Sequence, residues 1–412
     1  MSKSNVTHWT QTHPELGTGP VPIERAMSEE FFKLERRRIF GSCWLKVGRI
    51  EELPRFGDFL VKDLPVCQTS VLLMRGKDGQ VRGFHNICSH RGNKLAWDSR
   101  GNCRAGVMTC KFHGWSYNWE GRLAGVPDEV NFFDLDKSRN GLTPVATDTW
   151  QGFIFVNLDP NPAQSLKAYL GGIVEDLESY PFDQIPFSFG YWEDLNCNWK
   201  IAVDAQNEAY HAVWLHRRTI GDIFANSDDP YAHALDVKFY GPHARMSVPG
   251  YDLWHTPVRD LANRIENKWV MRQGPRFGTS DQMPKGLNPS RSDNWTFDLY
   301  MIFPNLWLGL FNGFYLIHEM WPMTVGRMRQ ETRMYQPPPR TASQLFTWEY
   351  QKTVNRDVWL EDFSTLEQSW EVLQSGVKKV FNLQDNEVLV RNFYYWVERM
   401  VDAQQSPAGR AA

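Results

Sequence analysis

Cys88-Ser-His90 and Cys110-Lys-Phe-His113 each place a thiol two or three residues from an imidazole. Thiolate and imidazole at such spacings hold a soft or borderline metal, and two loops of this kind supply four ligands. Tetrahedral zinc and an iron–sulfur cluster both suit that composition. The bland alternative, buried thiols and satisfied core histidines, fits poorly with ligand residues paired in both halves. Cys43, Cys67 and Cys103 have no such pairing and read as packing residues, since a free cysteine behaves as a small hydrophobe.

A second set runs from Asn198-Trp199-Lys200 through Asp204 and Glu208-Ala-Tyr-His211 to His216. On a helix over Trp199–Trp214, Asp204, Glu208, His211 and Leu215 share one face, at steps of four, three and four. His211 and His216 would stand about 140° apart on a regular helix, so the helix is expected to bend or end between them. Taken alone, these histidines are as compatible with core or surface imidazoles as with ligands, and Asp204 with a helix-surface charge. Far along the chain, Asp362 shares a helical side with Trp359 and Leu366, and an acid on an apolar side is costly unless something pairs with it. Its neighbour Glu361 competes for the same role.

The flanking residues carry a resemblance. Arg91-Gly92 after the first loop, Gly114-Trp115 after the second, and Tyr117, Gly121 and Leu123 behind them resemble the Rieske fingerprint. Asn-Trp-Lys, an acid, Tyr210-His211 and His216 resemble the α-subunit motif of Rieske non-haem iron aromatic-ring-hydroxylating oxygenases. The resemblance implies a [2Fe–2S] cluster with two cysteines (Cys88, Cys110) on one iron and two histidines (His90, His113) on the other. Tyr117 would hydrogen-bond near a cluster sulfur. It further implies a mononuclear Fe(II) held by His211, His216 and Asp362, with positions open for O2 and substrate. Glu208, where aspartate is commoner, would link His211 to His113 of the adjacent subunit in a head-to-tail ring, usually a trimer, while Asp204 is a candidate second-sphere acid. Departures from the family pattern are a long inter-loop segment with the extra Cys103, and Lys111-Phe112 in place of a small residue or proline followed by tyrosine.

By the same resemblance the chain is a terminal oxygenase component that hydroxylates an aromatic or hydrophobic substrate, with dihydroxylation favoured. The alternative is monooxygenation: oxidative O- or N-demethylation or quaternary-amine oxidation. A reductase, with or without a ferredoxin, supplies electrons from NAD(P)H, and a separate β subunit is compatible. Gln206, Asn207, Val213, Leu215 and Phe363 are candidate pocket walls. From another class, a Rieske electron carrier would lack the second iron.

The elements that must position these residues fall into three stretches. Residues 1–39 read as an arm with a helix over Ser28–Arg38, N-capped by Ser28. Residues 40–160 show short β runs (Phe59–Val61, Ser70–Met74, Val81–His85, Gly106–Thr109, Gly152–Val156) cut by Gly, Asp and Asn, which predicts a small antiparallel β domain. Residues 161–412 alternate helices (Leu166–Leu177, Trp199–Trp214) with β stretches (Ala234–Val248, Thr296–Phe303, Leu306–Phe314, Tyr315–Thr324, Gly326–Tyr335) before a helical C-terminal region. That order predicts α+β: a helix-grip-like catalytic domain with an antiparallel sheet and C-terminal helices.

The totals agree. The 412 residues suffice for two cores. A net charge of -3 and a pI near 6.4 leave no basic stripe for nucleic acid or an anionic membrane. Six cysteines are too sparse for a disulfide framework, which points to reduced thiols in a cytoplasm. No apolar run approaches the roughly 18–20 residues of a spanning helix. The FGTS stretch at Phe277 and the Gly171-Gly172 pair lack the spacing of a dinucleotide fingerprint, so NAD(P)H and flavin are expected on another protein. The 18 tryptophans suit an apolar pocket, although core packing accounts for most rings equally well.

Overall fold

Val, Leu, Ile and Phe in short runs favour strands because such side chains fit a half-buried pleated surface, while Gly, Asp and Asn take the turns between them. In the computed structural model, which describes residues 8–103, 106–251, 283–311 and 313–402, this pattern governs residues 36–169, one of two compact units. The Phe277 stretch lies outside the described residues.

After a two-residue strand β1 (Val21–Pro22), which belongs to the other unit, the strands of this unit are β2 (Leu45–Arg49), β3 (Asp58–Leu64), β4 (Thr69–Arg75), β5 (Val81–His85), β6 (Arg100–Asn102), β7 (Val107–Thr109), β8 (Ser116–Asn118), β9 (Leu123–Gly125), β10 (Pro144–Trp150) and β11 (Phe153–Asn157). Seven pair antiparallel in the order β2-β11-β10-β5-β4-β3-β6, and β7-β8-β9 form a smaller sheet. Met74, Phe84, Leu95, Trp115, Tyr117 and Leu123 make a core that also encloses Cys88 and Cys110.

The second unit comprises the chain up to Glu35 and from Leu170 onward. Its strands are β12 (Phe187–Leu195), β13 (Asp236–Tyr240), β14 (His243–Pro249), β15 (Trp295–Ile302), β16 (Leu306–Leu310), β17 (Tyr315–Thr324) and β18 (Arg327–Tyr335), with β19 (Val380–Phe381) pairing β1. They form one antiparallel sheet, β12-β18-β17-β16-β15-β14-β13. Helices Ala342–Leu373 and Val388–Asp402 follow, as an α+β domain requires. Thr341 caps the long helix by accepting the Gln344 N–H, and Gln351, Val358, Trp359, Asp362, Leu366 and Trp370 form its buried stripe.

Several boundaries differ from expectation. Ala234–Val248 is two strands, because Gly241 at φ 64° turns the chain between β13 and β14. The stretch Leu166–Leu177 is two short helices interrupted at Gly171, and the strand from Leu306 ends at Leu310. Ser28 does cap its helix, accepting the Phe31 N–H at 3.1 Å.

That N-terminal helix places Glu35 inside the second unit. Its carboxylate meets Lys200 Nζ at 2.6 Å and Trp199 Nε1 at 3.1 Å, with both charged side chains essentially fully buried. Removing one partner strands a charge that water cannot reach. Lys200→Met is therefore expected to destabilise this unit by about 3–5 kcal/mol, seen as a fall in its thermal unfolding midpoint, and Glu35→Leu in the same chain should restore much of the loss.

Candidate metal centre

The helix beginning at Trp199 is capped by Asn198, whose Oδ1 accepts the Lys200 N–H at 3.0 Å, and it stops at Gln206 instead of reaching Trp214. Trp307 Nε1 donates to the Gln206 carbonyl at 2.8 Å, occupying the acceptor that a continuing helix would offer to Tyr210. Residues 207–211 are consequently a turn, and Ala212–Leu215 a second short helix. The expected single face of Asp204, Glu208, His211 and Leu215 does not form; the helical stretch breaks before His211 and, as expected, also ends between His211 and His216, at Leu215.

This break swings two imidazoles toward the long helix. His216 Nε2 lies 3.3 Å and His211 Nε2 3.6 Å from Asp362 Oδ1. Among the described residues these three are the one group of this kind whose ligand atoms all lie within 4.8 Å of one another. Ligands at right angles around an ion some 2.1 Å away would be about 3 Å apart. Asp362 is buried and its Oδ1 has no hydrogen-bond partner, an arrangement that a cation completes. Two histidines and one carboxylate fit a ferrous site with open positions.

The far nitrogens of both rings are held by glutamates. Glu208 Oε1 is 2.5 Å from His211 Nδ1, and its Oε2 accepts the His211 backbone N–H at 3.0 Å. Glu361 Oε2 is 2.9 Å from His216 Nδ1 and accepts the Thr219 hydroxyl at 2.8 Å. Each carboxylate fixes the proton on Nδ1 and leaves Nε2 to the ion. Glu361, the rival for the third ligand, thus stands at the opposite edge of the His216 ring. Burial by itself would disfavour a charged His211, but Glu208 and Asp362 outweigh it and raise its pKa to about 9.

Asp204 is not a surface charge. Its side chain accepts the Tyr394 hydroxyl at 2.7 Å, and burial holds its carboxyl well above the usual range. It does not join the three converging ligands.

A cavity of about 110 Å³ adjoins the metal group. Its walls include Ile220, Phe224, Val248, Phe297, Leu299, Trp307, Phe311, Leu316, Val358 and Trp359, with Gln206 and Asn355 as neutral polar groups and no Lys or Arg among the described lining residues. Of the five expected walls only Gln206 borders it. Asn207 and Phe363 are buried elsewhere, and Val213 and Leu215 do not reach it. The missed walls come mostly from β14 to β17 and the long helix, segments whose apolar runs gave no hint of which side chains would meet. Behind Trp307 and Trp359, His318 lies 4.7 Å from each ring, and burial pushes its pKa down to about 3, so it stays neutral.

In the other unit, both cysteine–histidine loops close with the same hydrogen bonds. Gly92 N–H donates to Cys88 O and Gly114 N–H to Cys110 O, each at 3.0 Å, while Cys88 N–H reaches Asn93 O and Cys110 N–H reaches Trp115 O, each at 2.8 Å. The glycines sit at φ 78° and 75°, where a side chain would be strained. The His90 and His113 rings are 4.6 Å apart, and His90 Nδ1 is buried without a partner. Burial and the neighbouring His113 and Arg91 lower the His90 pKa, which favours the neutral form that binds metal. Tyr117 OH lies 3.1 Å from Cys88 Sγ. Burial raises the Cys88 thiol, whereas at Cys110 the Phe112 N–H and other donors outweigh burial and lower it. The four ligand atoms do not converge as one zinc ion would require; a two-iron cluster with a ligand pair at each end suits them.

Residues 43–145 match the Rieske [2Fe-2S] domain, and residues 176–403 the ring hydroxylating alpha subunit (catalytic domain). The chain is 30% identical to the glycine betaine monooxygenase oxygenase subunit of Pseudomonas aeruginosa, over 72% of this chain and 68% of that one. It is 28% identical to the corresponding subunit of Chromohalobacter salexigens over 62% of this chain, spanning only 52% of that relative's length. In fold it resembles a quaternary ammonium Rieske monooxygenase (TM-score 0.74, 20% identity, 94% of this chain and 97% of that one). It also resembles naphthalene 1,2-dioxygenase from Rhodococcus sp. (TM-score 0.71, 22% identity, 97% of this chain and 99% of that one).

If Glu361 holds His216, Glu361→Ala should weaken binding of ferrous or cobaltous ion to the metal-free protein by about 10–100-fold; an unchanged titration would remove it from the site. Because His211 carries a proton below about pH 9 in the absence of metal, the ion must displace it. Affinity should therefore climb from neutral pH to about 9 and then level off, as a titration across pH would record.

Proposed function

The chain belongs to the ring-hydroxylating oxygenase α-subunit family and carries its Rieske [2Fe–2S] domain, and from that premise we propose that it is the terminal oxygenase of a multicomponent system, acting on a neutral aromatic or otherwise apolar substrate. Convergence of His211, His216 and Asp362 at the wall of an apolar cavity carries the proposal. These three residues would hold a mononuclear Fe(II), and Cys88, His90, Cys110 and His113 the cluster. When bound, the cluster passes electrons singly and the iron reduces O2 for insertion into substrate. The residues around the iron orient and protect: Glu208 and Glu361 fix the imidazoles, Trp307 and Trp359 exclude water, and Gln206 Nε2 approaches Asp362 Oδ2 at 3.5 Å.

Dihydroxylation of an aromatic ring is the favoured reaction. The second reading, monooxygenation of a quaternary amine, draws on the glycine betaine relatives, on the glutamate at position 208, which resembles the bridge of some quaternary-amine oxygenases, and on five rings (Phe224, Phe297, Trp307, Phe311, Trp359) able to face a cation. The substrates in those relatives' names bear a carboxylate, and no cationic side chain among the described lining residues would receive it.

A reductase, with or without a ferredoxin, would feed the cluster. We also propose a head-to-tail ring in which Glu208 links His211 to His113 of the adjacent subunit. Trp97 and Phe112 are exposed beside the cluster loops, as are Tyr210 and Trp214 beside His211, rings of the kind that subunit contacts cover. Among the described residues no helix is long and apolar enough to cross a membrane.

Turnover of an aromatic panel under isotopically labelled dioxygen with a surrogate reductase should place two labelled oxygens in a diol. One labelled atom and a released aldehyde would favour demethylation, and a protein with cluster iron alone would be an electron carrier. Glu208→Gln, whose amide oxygen can still accept from His211 Nδ1, should leave both metal centres loaded yet lower electron-coupled turnover by about 10-fold or more; full activity would take Glu208 off the electron path.

A further inference from the structure

Four residues of the long helix line the cavity: Asn355, Val358, Trp359 and Asp362. They stand at steps of three, one and three, a single stripe along one face. Asn355 and Asp362 are two turns apart, about 10.5 Å along the axis, with an aliphatic and an indole side chain between them. Asp362 marks the metal end, so Asn355 marks the distal end.

The orientation of the Asn355 amide is determined by its neighbour. Its Nδ2 donates to the Gln351 backbone carbonyl at 2.9 Å, and since a carbonyl can only accept, that end of the amide is the nitrogen. Its Oδ1 has no donor among the described residues. Apart from Gln206 beside Asp362, every other described wall beyond the metal group and Glu208 is apolar. A ligand that expels water from this space without offering a donor leaves the Asn355 oxygen unpaired, a penalty paid only by the wrong ligand.

We propose that Asn355 is a specificity-determining residue that selects a neutral, mostly apolar substrate bearing an O–H or N–H group at the end remote from the oxidised carbon. This deepens the oxygenase reading and rests on it. Bicyclic molecules have the right length: an aromatic edge can face the metal group while a hydroxyl on the far ring meets the amide. A carboxylate or sulfonate in place of the hydroxyl would bring a full negative charge to a lining with no described cation, so charge as well as size is discriminated.

The test is anaerobic equilibrium dialysis of the iron-loaded holoenzyme with naphthalene, β-naphthol and β-naphthyl methyl ether, followed by turnover under labelled dioxygen. The wild-type protein should bind β-naphthol about tenfold more tightly than naphthalene or the ether, a ratio worth one hydrogen bond. Asn355→Leu should abolish that preference, whereas Asn355→Asp, which keeps an acceptor, should retain it. Equal affinities in the wild-type protein, an unchanged preference in Asn355→Leu, or no binding of any of the three would overturn the proposal. A preference lost in Asn355→Leu but unaccompanied by label in any product would leave Asn355 as the selector and remove the oxygenase reading.

Discussion

The metal centre depends on where two protons sit. Each imidazole of the converging trio offers two nitrogens, and a carboxylate pinned against Nδ1 holds one proton there while Nε2 is given to the ion. Glu208 does this for His211 from three residues upstream, gripping the backbone N–H with one oxygen and the ring with the other. Glu361 does it for His216 from a helix more than a hundred residues away. One of these supports is local and the other is tertiary, so the ion can be held only when the long helix is docked.

The long helix also explains how an apolar cavity tolerates an acid. Asp362 lies among Val358, Trp359 and Leu366, surroundings in which an unpaired carboxylate is costly, and its free oxygen faces two imidazole nitrogens. The same economy appears elsewhere in the unit: Glu35 is buried with Lys200, and His318 is kept neutral by its burial. Among the described residues, the metal group is where three candidate ligands converge and a cation completes the arrangement.

The cysteine–histidine loops obey a different logic. Most of what shapes each loop is within a few residues: a glycine that takes positive φ, a backbone N–H returning to the cysteine carbonyl, and further N–H groups turned toward sulfur. The contact of Tyr117 with Cys88 and the meeting of the two histidine rings are supplied by the fold. The spacing of the loop residues is therefore a strong signal in sequence, and the two cysteine–histidine pairs, the short strands around them and the antiparallel character of the unit were all legible there.

The catalytic half was legible only where its chemistry is local. His211, His216 and the acidic stretch at Glu361-Asp362 stood out by type and spacing, and so did the α+β order of elements. The helix break at Gln206 did not, because its cause is an indole on β16 taking a carbonyl, an interaction with no trace in the residues around the break. Nor did the hold of Glu361 on the His216 ring, although the family resemblance had named Asp362 as the ligand; the two adjacent residues are separated in role by the 100° that one helical step turns. The expected walls Asn207, Val213, Leu215 and Phe363 were neighbours of the ligands in sequence, whereas the actual walls are neighbours in space, drawn from several strands and the far helix. Sequence alone determined which residues could bind metal, since ligand chemistry belongs to side-chain type and short-range spacing. Only the tertiary structure decided that Glu361 holds a ring from behind and what shape of molecule can lie beside the ion, because convergence of distant segments is a property of packing.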